Sequence, residues 1–357
     1  MTGRLFTIYT AMAITFAVPA IAQERFDSSE AAAQAVIDAA EKHDSARLSA
    51  IFGPAAKGIL TSGDSTKDQG EMAEFARLAR AKHRLEISPM NPNRVILAIG
   101  DEDWPFPVPI LRKNNKWSFD ASETPVELSA RRIGANELDA IEICHGYVDA
   151  QVKYASEDRD KDGMLEYAPH LMSTSGRHDG LYWQGESQPL VPEGLARAAW
   201  EGASKGQAKP YYYFRVLDGQ GPDAPGGTHN YFVKDKLIGG FGLVAWPAEY
   251  GVTGIRTFIV NQDGVVYQKD IEPIAGKPLL PVTIPTIPGS RWSRSASKQS
   301  RPILAGSREN HPRSWHRAPL TLFGVTRGKR RANNFVKSAS GCLAFSGLSS
   351  YTLHVYR

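Results

Sequence analysis

Twice along this chain a segment with helical apolar spacing runs into segments with strand alternation and turn residues, and that order leaves few folds open. In the first half, Ser28-Ser29-Glu30 precedes apolar positions at Ala33, Val36, Ile37, Ala40, Leu48 and Ile51. A serine there can accept a hydrogen bond from the first turn, so the spacing predicts one or two amphipathic helices begun by a Ser cap. A further helix fits Gln69 to Leu85, and strand-like runs follow at Arg94 to Ile99 and Val108 to Leu111. Asn114-Asn115-Lys116 then makes a turn, and Trp117-Ser118-Phe119 resumes the strand. Asp103-Trp104-Pro105-Phe106-Pro107 belongs to an edge or a turn, because neither proline can donate to a ladder.

In the second half a long helix is predicted from about Asn136 to Tyr154, with Leu138, Ile141, Tyr147, Val148 and Val152 as its apolar stripe. Strand candidates follow at Tyr211 to Val216, Tyr231 to Val233, Gly239 to Val244, Thr257 to Asn261 and Val265 to Gln268. The last two are joined by Gln262-Asp263-Gly264, and Asp-Gly between apolar runs is a hairpin signal. The expectation is an α+β protein. N-terminal helices pack on a curved, cone-like antiparallel sheet over residues 23–130, and a long helix followed by an antiparallel sheet occupies 131–273. With 357 residues, 42% of them hydrophobic and 10% aromatic, each half has material for its own core.

The two ends read differently. Arg4, the apolar stretch Leu5 to Val18 and the small residues of Ala20-Ile21-Ala22 have the layout of a secretory signal cleaved after Ala22, so residues 1–22 predict export to the periplasm or beyond. Nothing later in the chain is apolar for long enough to predict a membrane span. From residue 277 onward there are 14 Lys and Arg against the single acid Glu309, which leaves 28 basic and 37 acidic residues before it. The body is therefore acidic and only the tail is basic. Arg327-Gly328-Lys329-Arg330-Arg331 would ordinarily suggest nucleic acid. The abrupt change to an Arg/Ser/Pro-rich composition instead suggests a disordered tail at 274–357, a frameshift product in origin, and no nucleic-acid partner is expected. With two cysteines, Cys144 and Cys342, no disulfide framework is called for, and Cys144 in a helical pattern reads as a small buried hydrophobe.

The sharpest chemical signal is Asp158-Arg159-Asp160-Lys161-Asp162-Gly163-Met164-Leu165-Glu166. Alternate carboxylates converge when a glycine permits a tight turn after the third, and hard oxygen ligands at that spacing suit Ca²⁺. The ligands would be Asp158, Asp160, Asp162, the Met164 carbonyl and Glu166, because the twelfth position, where an EF-hand places its bidentate Glu, is Pro169. Arg159 and Lys161 offset part of the negative charge, and a solvated acidic turn is the competing reading. His145 stands at helical spacing from Asp149 and near Glu142, while His170, His178, His229 and Glu249 fall in connections that could line a cleft. Tyr211-Tyr212-Tyr213-Phe214, with Trp183 and Trp246, could stack glycan rings, although strand alternation sends half of them inward. No nucleophile elbow, phosphate loop or zinc signature is present.

Several rare runs occur in order: Asp103-Trp104-Pro105-Phe106-Pro107, Arg131-Arg132-Ile133-Gly134-Ala135-Asn136-Glu137-Leu138, Asp179-Gly180-Leu181-Tyr182-Trp183, Pro222-Asp223-Ala224-Pro225-Gly226-Gly227 and Ala245-Trp246-Pro247-Ala248-Glu249-Tyr250-Gly251. On these the chain, over about residues 25–272, resembles the bacterial exported family catalogued as domain of unknown function 2950. That resemblance implies export in bacteria and supplies no catalytic residues. The first half is also similar to the nuclear-transport-factor-like cone fold. The second half is similar to the soluble head of type II secretion pseudopilins, which implies a calcium loop, although the long N-terminal hydrophobic helix of pseudopilins is missing. The expected role is non-catalytic binding or scaffolding at the cell envelope, with an envelope protein or glycan as partner. A periplasmic hydrolase using His145 or His229 in a cleft between the domains, and a calcium-stabilised assembly component, are the alternatives.

Overall fold

The computed structural model describes residues 23–186, 188–199, 210–222, 224, 226–272, 293–294 and 322–323. The chain separates into two compact units: the first runs to Thr124 and includes Leu322–Phe323, and the second begins at Pro125.

In the first unit, α1 (Ser29–Glu41) starts where the Ser28 side chain accepts from Ala31 N at 3.0 Å. It buries Ala32, Ala33, Val36, Ile37 and Ala40. Asp44 caps α2 (Ser45–Phe52), which ends at Gly53, where φ of 71° favours a residue without Cβ. After a 3₁₀ turn, Pro54–Ala56, α3 (Ser65–Ala81) begins on an Asp64 cap. It starts earlier and ends earlier than the expected Gln69 to Leu85. The cap sets its start, and the extended Lys82 ends it so that the next residues can enter a sheet. That sheet comprises β1 (His83–Ser88), β2 (Asn91–Ile99), β3 (Trp104–Pro105), β4 (Ile110–Lys113) and β5 (Lys116–Phe119). Its order is β1-β2-β4-β5, with β3 against β2, and all pairings are antiparallel. As the two prolines require, β3 lies off the main path. Asn114 and Asn115, both at positive φ, close the β4–β5 hairpin. The core carries an aromatic cluster in which Phe52 meets Phe119 at 5.0 Å and Phe75 meets Phe106 at 5.2 Å. Each such buried ring contributes about 1.5–3 kcal/mol.

The second unit is organised by α4 (Thr124–Tyr154). This helix begins well before the expected Asn136. Pro125 is tolerated in a first turn, Glu127 and Arg131 pair at 2.8 Å one turn apart, and Gly134 is absorbed within it. Its buried stripe is Ala140, Ile141, Cys144, Tyr147, Ala150, Gln151 and Tyr154. Val152, expected on that stripe, is 59% exposed, because the buried face is centred on the polar Gln151 instead. The Gln151 amide makes this possible: Oε1 accepts from Ala168 N at 2.8 Å, and Nε2 donates to Ala168 O at 2.8 Å and to the Tyr147 hydroxyl at 2.9 Å. A buried amide with every partner supplied escapes the desolvation penalty.

Beyond α4 come β6 (His170–Met172) and β7 (Gly180–Tyr182), which pair in parallel, then α5 (Glu193–Arg197). They are followed by β8 (Tyr212–Val216), the small hairpins β9 (Gly219–Gln220) with β10 (His229–Asn230) and β11 (Phe232–Val233) with β12 (Lys236–Leu237), then β13 (Gly242–Pro247), β14 (Arg256–Asn261), β15 (Tyr267–Asp270) and β16 (Ser293–Arg294). The principal sheet has the antiparallel order β16-β15-β14-β13-β8. Gly264, at φ 70°, turns the chain between β14 and β15 as the Asp-Gly signal requires. The expectation for 274–357 falls outside the described residues, apart from Ser293–Arg294 on β15 and Leu322–Phe323 in the first core.

Two side chains of the Gly134-to-Leu138 run tie α4 to the approach of β14. Asn136 Nδ2 donates to Thr253 O at 2.8 Å, and Glu137 Oε1 accepts from Ile255 N at 3.0 Å and Arg256 N at 2.9 Å. Burial pushes the Glu137 carboxyl above its ordinary value, against the pull of those two N–H groups.

Candidate functional site

The acidic loop leaves the end of α4 and folds around its own carboxylates. Asp158 accepts from Asp162 N at 3.2 Å and Gly163 N at 2.9 Å, and Asp162 accepts from Met164 N at 2.9 Å. Lys161 and Gly163 take the left-handed conformations this requires. One oxygen each from Asp158, Asp160 and Asp162 then lies within 4.8 Å of the others, all three residues being exposed.

A cation already stands among these groups. Lys236, on β12, places Nζ 2.8 Å from Asp160 Oδ2, 2.5 Å from Asp162 Oδ2 and 3.4 Å from Glu166 Oε2. The β11–β12 hairpin reaches the loop by turning through Lys234 and Asp235, both at positive φ, and Tyr167 N donates to Leu237 O at 2.9 Å. The hydrogen bonds it donates to Asp160 and Asp162 hold the ammonium above its ordinary pKa. Glu166 goes up as well, because its burial outweighs the Lys236 charge. Arg159, read from the sequence as a counter-charge, faces away. Its guanidinium lies 5.0 Å from the rings of both Tyr154 and Trp183, and Nε donates to Tyr154 O at 3.2 Å.

The structure thus brings Asp158, Asp160 and Asp162 together, joins Glu166 to the latter two through Lys236, and holds Met164 in the same turn by its N–H. The donors are hard oxygens, which fit Ca²⁺. Lys236 carried no sequence signal, since it is separated from the loop by several strands and only the fold juxtaposes them.

The other candidates are committed elsewhere. His178 Nε2 meets Glu186 Oε1 at 2.5 Å on the surface, and its ring lies 4.9 Å from that of Trp183. His229 Nε2 meets Gly239 O at 2.5 Å. His145 is half-buried on α4, with Glu142 and Asp149 exposed beside it, and His170 is exposed on β6. Glu249 is exposed in a turn closed on itself, where Thr253 N donates to Glu249 O at 2.8 Å. Cys144 is wholly buried and its thiol is pushed up to about 12, the state of an inert core residue. In β8, Tyr212 and Phe214 are buried in the core while Tyr213 is half-buried, as is Tyr211 just before the strand, and Trp183 and Trp246 are buried.

The family described as Protein of unknown function (DUF2950) matches residues 23–293, and the chain belongs to it. The match continues past 272 to the first residue of β16. Comparison with curated proteins and with solved structures finds no match.

Proposed function

We propose that this member of the DUF2950 family is an exported, non-catalytic protein of the bacterial cell envelope that binds a protein or glycan partner there, and that the loop 158–166 is its calcium-responsive element. The observation that carries the calcium reading is the convergence of Asp158, Asp160 and Asp162 within 4.8 Å of one another, the latter two paired with a lysine ammonium. Three carboxylates, those of Asp160, Asp162 and Glu166, face one ammonium with Asp158 close beside them, so a divalent ion offers more charge than Lys236 does. Asp158, Asp160, Asp162 and Glu166 would hold the ion, and Lys236 would give up its place and turn to solvent. Support for a non-catalytic role comes from the histidines His178 and His229, each bonded to a partner close by in sequence. The export reading rests on residues 1–22.

Exposed loops of this kind in extracellular modules bind calcium at about 10⁻⁴ to 10⁻³ M. At a concentration 100 times Kd, an ion that binds only the native state adds about 2.7 kcal/mol, which is several degrees of Tm in a protein of this size. The test is thermal unfolding of the mature chain in EDTA and then in 10 mM CaCl₂, for the wild type and for Lys236→Met. The wild type should gain several degrees, and Lys236→Met should respond at lower calcium because the competing ammonium is gone. If neither protein responds, the loop is a lysine-neutralised turn and the calcium reading fails.

A further inference from the structure

Leu322 and Phe323 stand far along the chain from every other described residue of the first unit, yet both are fully enclosed in its core. The Phe323 ring lies 5.1 Å from Phe75, edge to face, 6.0 Å from Phe106 and 6.3 Å from Phe52. Its backbone neighbour is pinned too, since Leu322 N donates to Ile59 O at 3.2 Å. The walls come from α2, the turn after the 3₁₀ helix, α3 and the segment after β3, all inside the family-matched body, whereas the pair that fills the space lies beyond residue 293. The receptor therefore belongs to the family's common portion and its occupant to the basic C-terminal segment.

We infer that the first unit carries a recognition pocket for an adjacent Leu-Phe pair in a peptide segment, and that the chain's own Leu322–Phe323 occupies it in cis and anchors the C-terminal segment. The chemistry is that of a short hydrophobic anchor. Two apolar side chains leave water, aromatic walls set the ring geometry, and one backbone N–H, donated to Ile59 O, holds the main chain at the pocket. Fixing two residues costs little conformational entropy, and a covalent link keeps the local concentration of the pair high, so a modest pocket suffices.

The test uses the mature full-length protein, the double variant Leu322→Ala/Phe323→Ala, and a fluorescein-labelled peptide of residues 319–325. In fluorescence anisotropy the double variant should bind the peptide saturably and the wild type at least tenfold more weakly, because its own pair competes. A peptide with both positions changed to Ala should not bind. Absence of saturable binding by the folded double variant overturns the pocket. Should that variant not fold, the wild type decides alone. Chymotryptic cleavage after Phe323 should be at least a hundredfold slower in the native protein than in urea, and equal rates overturn the anchor. Protection that disappears on dilution would place a second copy's pair in the pocket and overturn the cis assignment.

Discussion

Replacing Glu137 separates two roles that one carboxylate plays in the second unit. Its Oε1 accepts from two consecutive backbone N–H groups, those of Ile255 and Arg256, at the entry to β14. Glu137→Ala leaves both donors without that acceptor. An unsatisfied donor costs about 1–3 kcal/mol, and because Ile255 and Arg256 are only half-buried the lower half of that range applies, giving about 3 kcal/mol for the pair. For a cooperative unit the size of the second one, that is a fall in Tm of about 6–12 °C. Glu137→Gln keeps a carbonyl oxygen in place and removes only the charge, so it should stay within about 1 kcal/mol of the wild type.

The charge supplies a second signature. Burial raises the folded-state pKa of Glu137 above its unfolded value, so the native protein holds this proton more tightly than the unfolded chain does. The resulting stabilisation is fully present below the unfolded carboxyl value and is lost as pH rises through the folded one. The difference in Tm between wild type and Glu137→Gln should therefore favour the wild type most at low pH and move toward the Gln variant as pH rises. Circular dichroism melts of the three proteins from pH 4 to pH 8 provide the comparison. If Ala and Gln lower Tm equally, the acceptor is not what fixes the loop. A difference between wild type and Gln that does not change with pH would refute the burial argument.

Gly254→Ala would place a Cβ 2.1 Å from the Tyr212 hydroxyl oxygen and 2.6 Å from its Cζ; the ring is buried and its OH donates to Arg256 O, so the cost should be about 1–3 kcal/mol by urea denaturation. In a Tyr212→Phe background the same substitution should cost less, and an equal cost would show that the ring is not the obstacle. Gln151→Leu conserves much of the volume but strips Ala168 of both its backbone partners, and a loss of about 2–4 kcal/mol is expected from chemical unfolding; a loss under 1 kcal/mol would mean the amide network is dispensable. Export with cleavage after Ala22 predicts that periplasmic extracts contain a chain whose Edman sequence begins at Gln23; recovery of an intact Met1 terminus would remove the export reading.

Local signals were legible and distant ones were not. The caps at Ser28 and Asp64, the Asn114-Asn115 turn and the hairpin at Gly264 are each decided within a few residues, although only the first, the turn and the hairpin stand out without coordinates. The start of α4 was hidden because Pro125 and Gly134 look like breakers, and their tolerance depends on position and on the Glu127–Arg131 pair. The edge strand β1 was obscured because Leu85 continues the apolar spacing of α3, while Ile87 on the same strand is 65% exposed. In the acidic loop the carboxylates follow from spacing alone. Lys236, Asn136 and Glu137 act across the fold, on partners that spacing along the chain does not identify.

The Gln151 amide has one more consequence, for how the acidic loop can change over evolutionary time. At one end the loop leaves Tyr154, whose buried ring is held by its hydroxyl on His178 O at 2.6 Å; at the other it returns at Ala168, clasped on both backbone groups by Gln151. With both ends fastened to α4 or its neighbours, the span between them is a cassette. Its charge and its length can be exchanged while the helix and sheet beneath keep their packing, so substitutions within the span need not disturb the core.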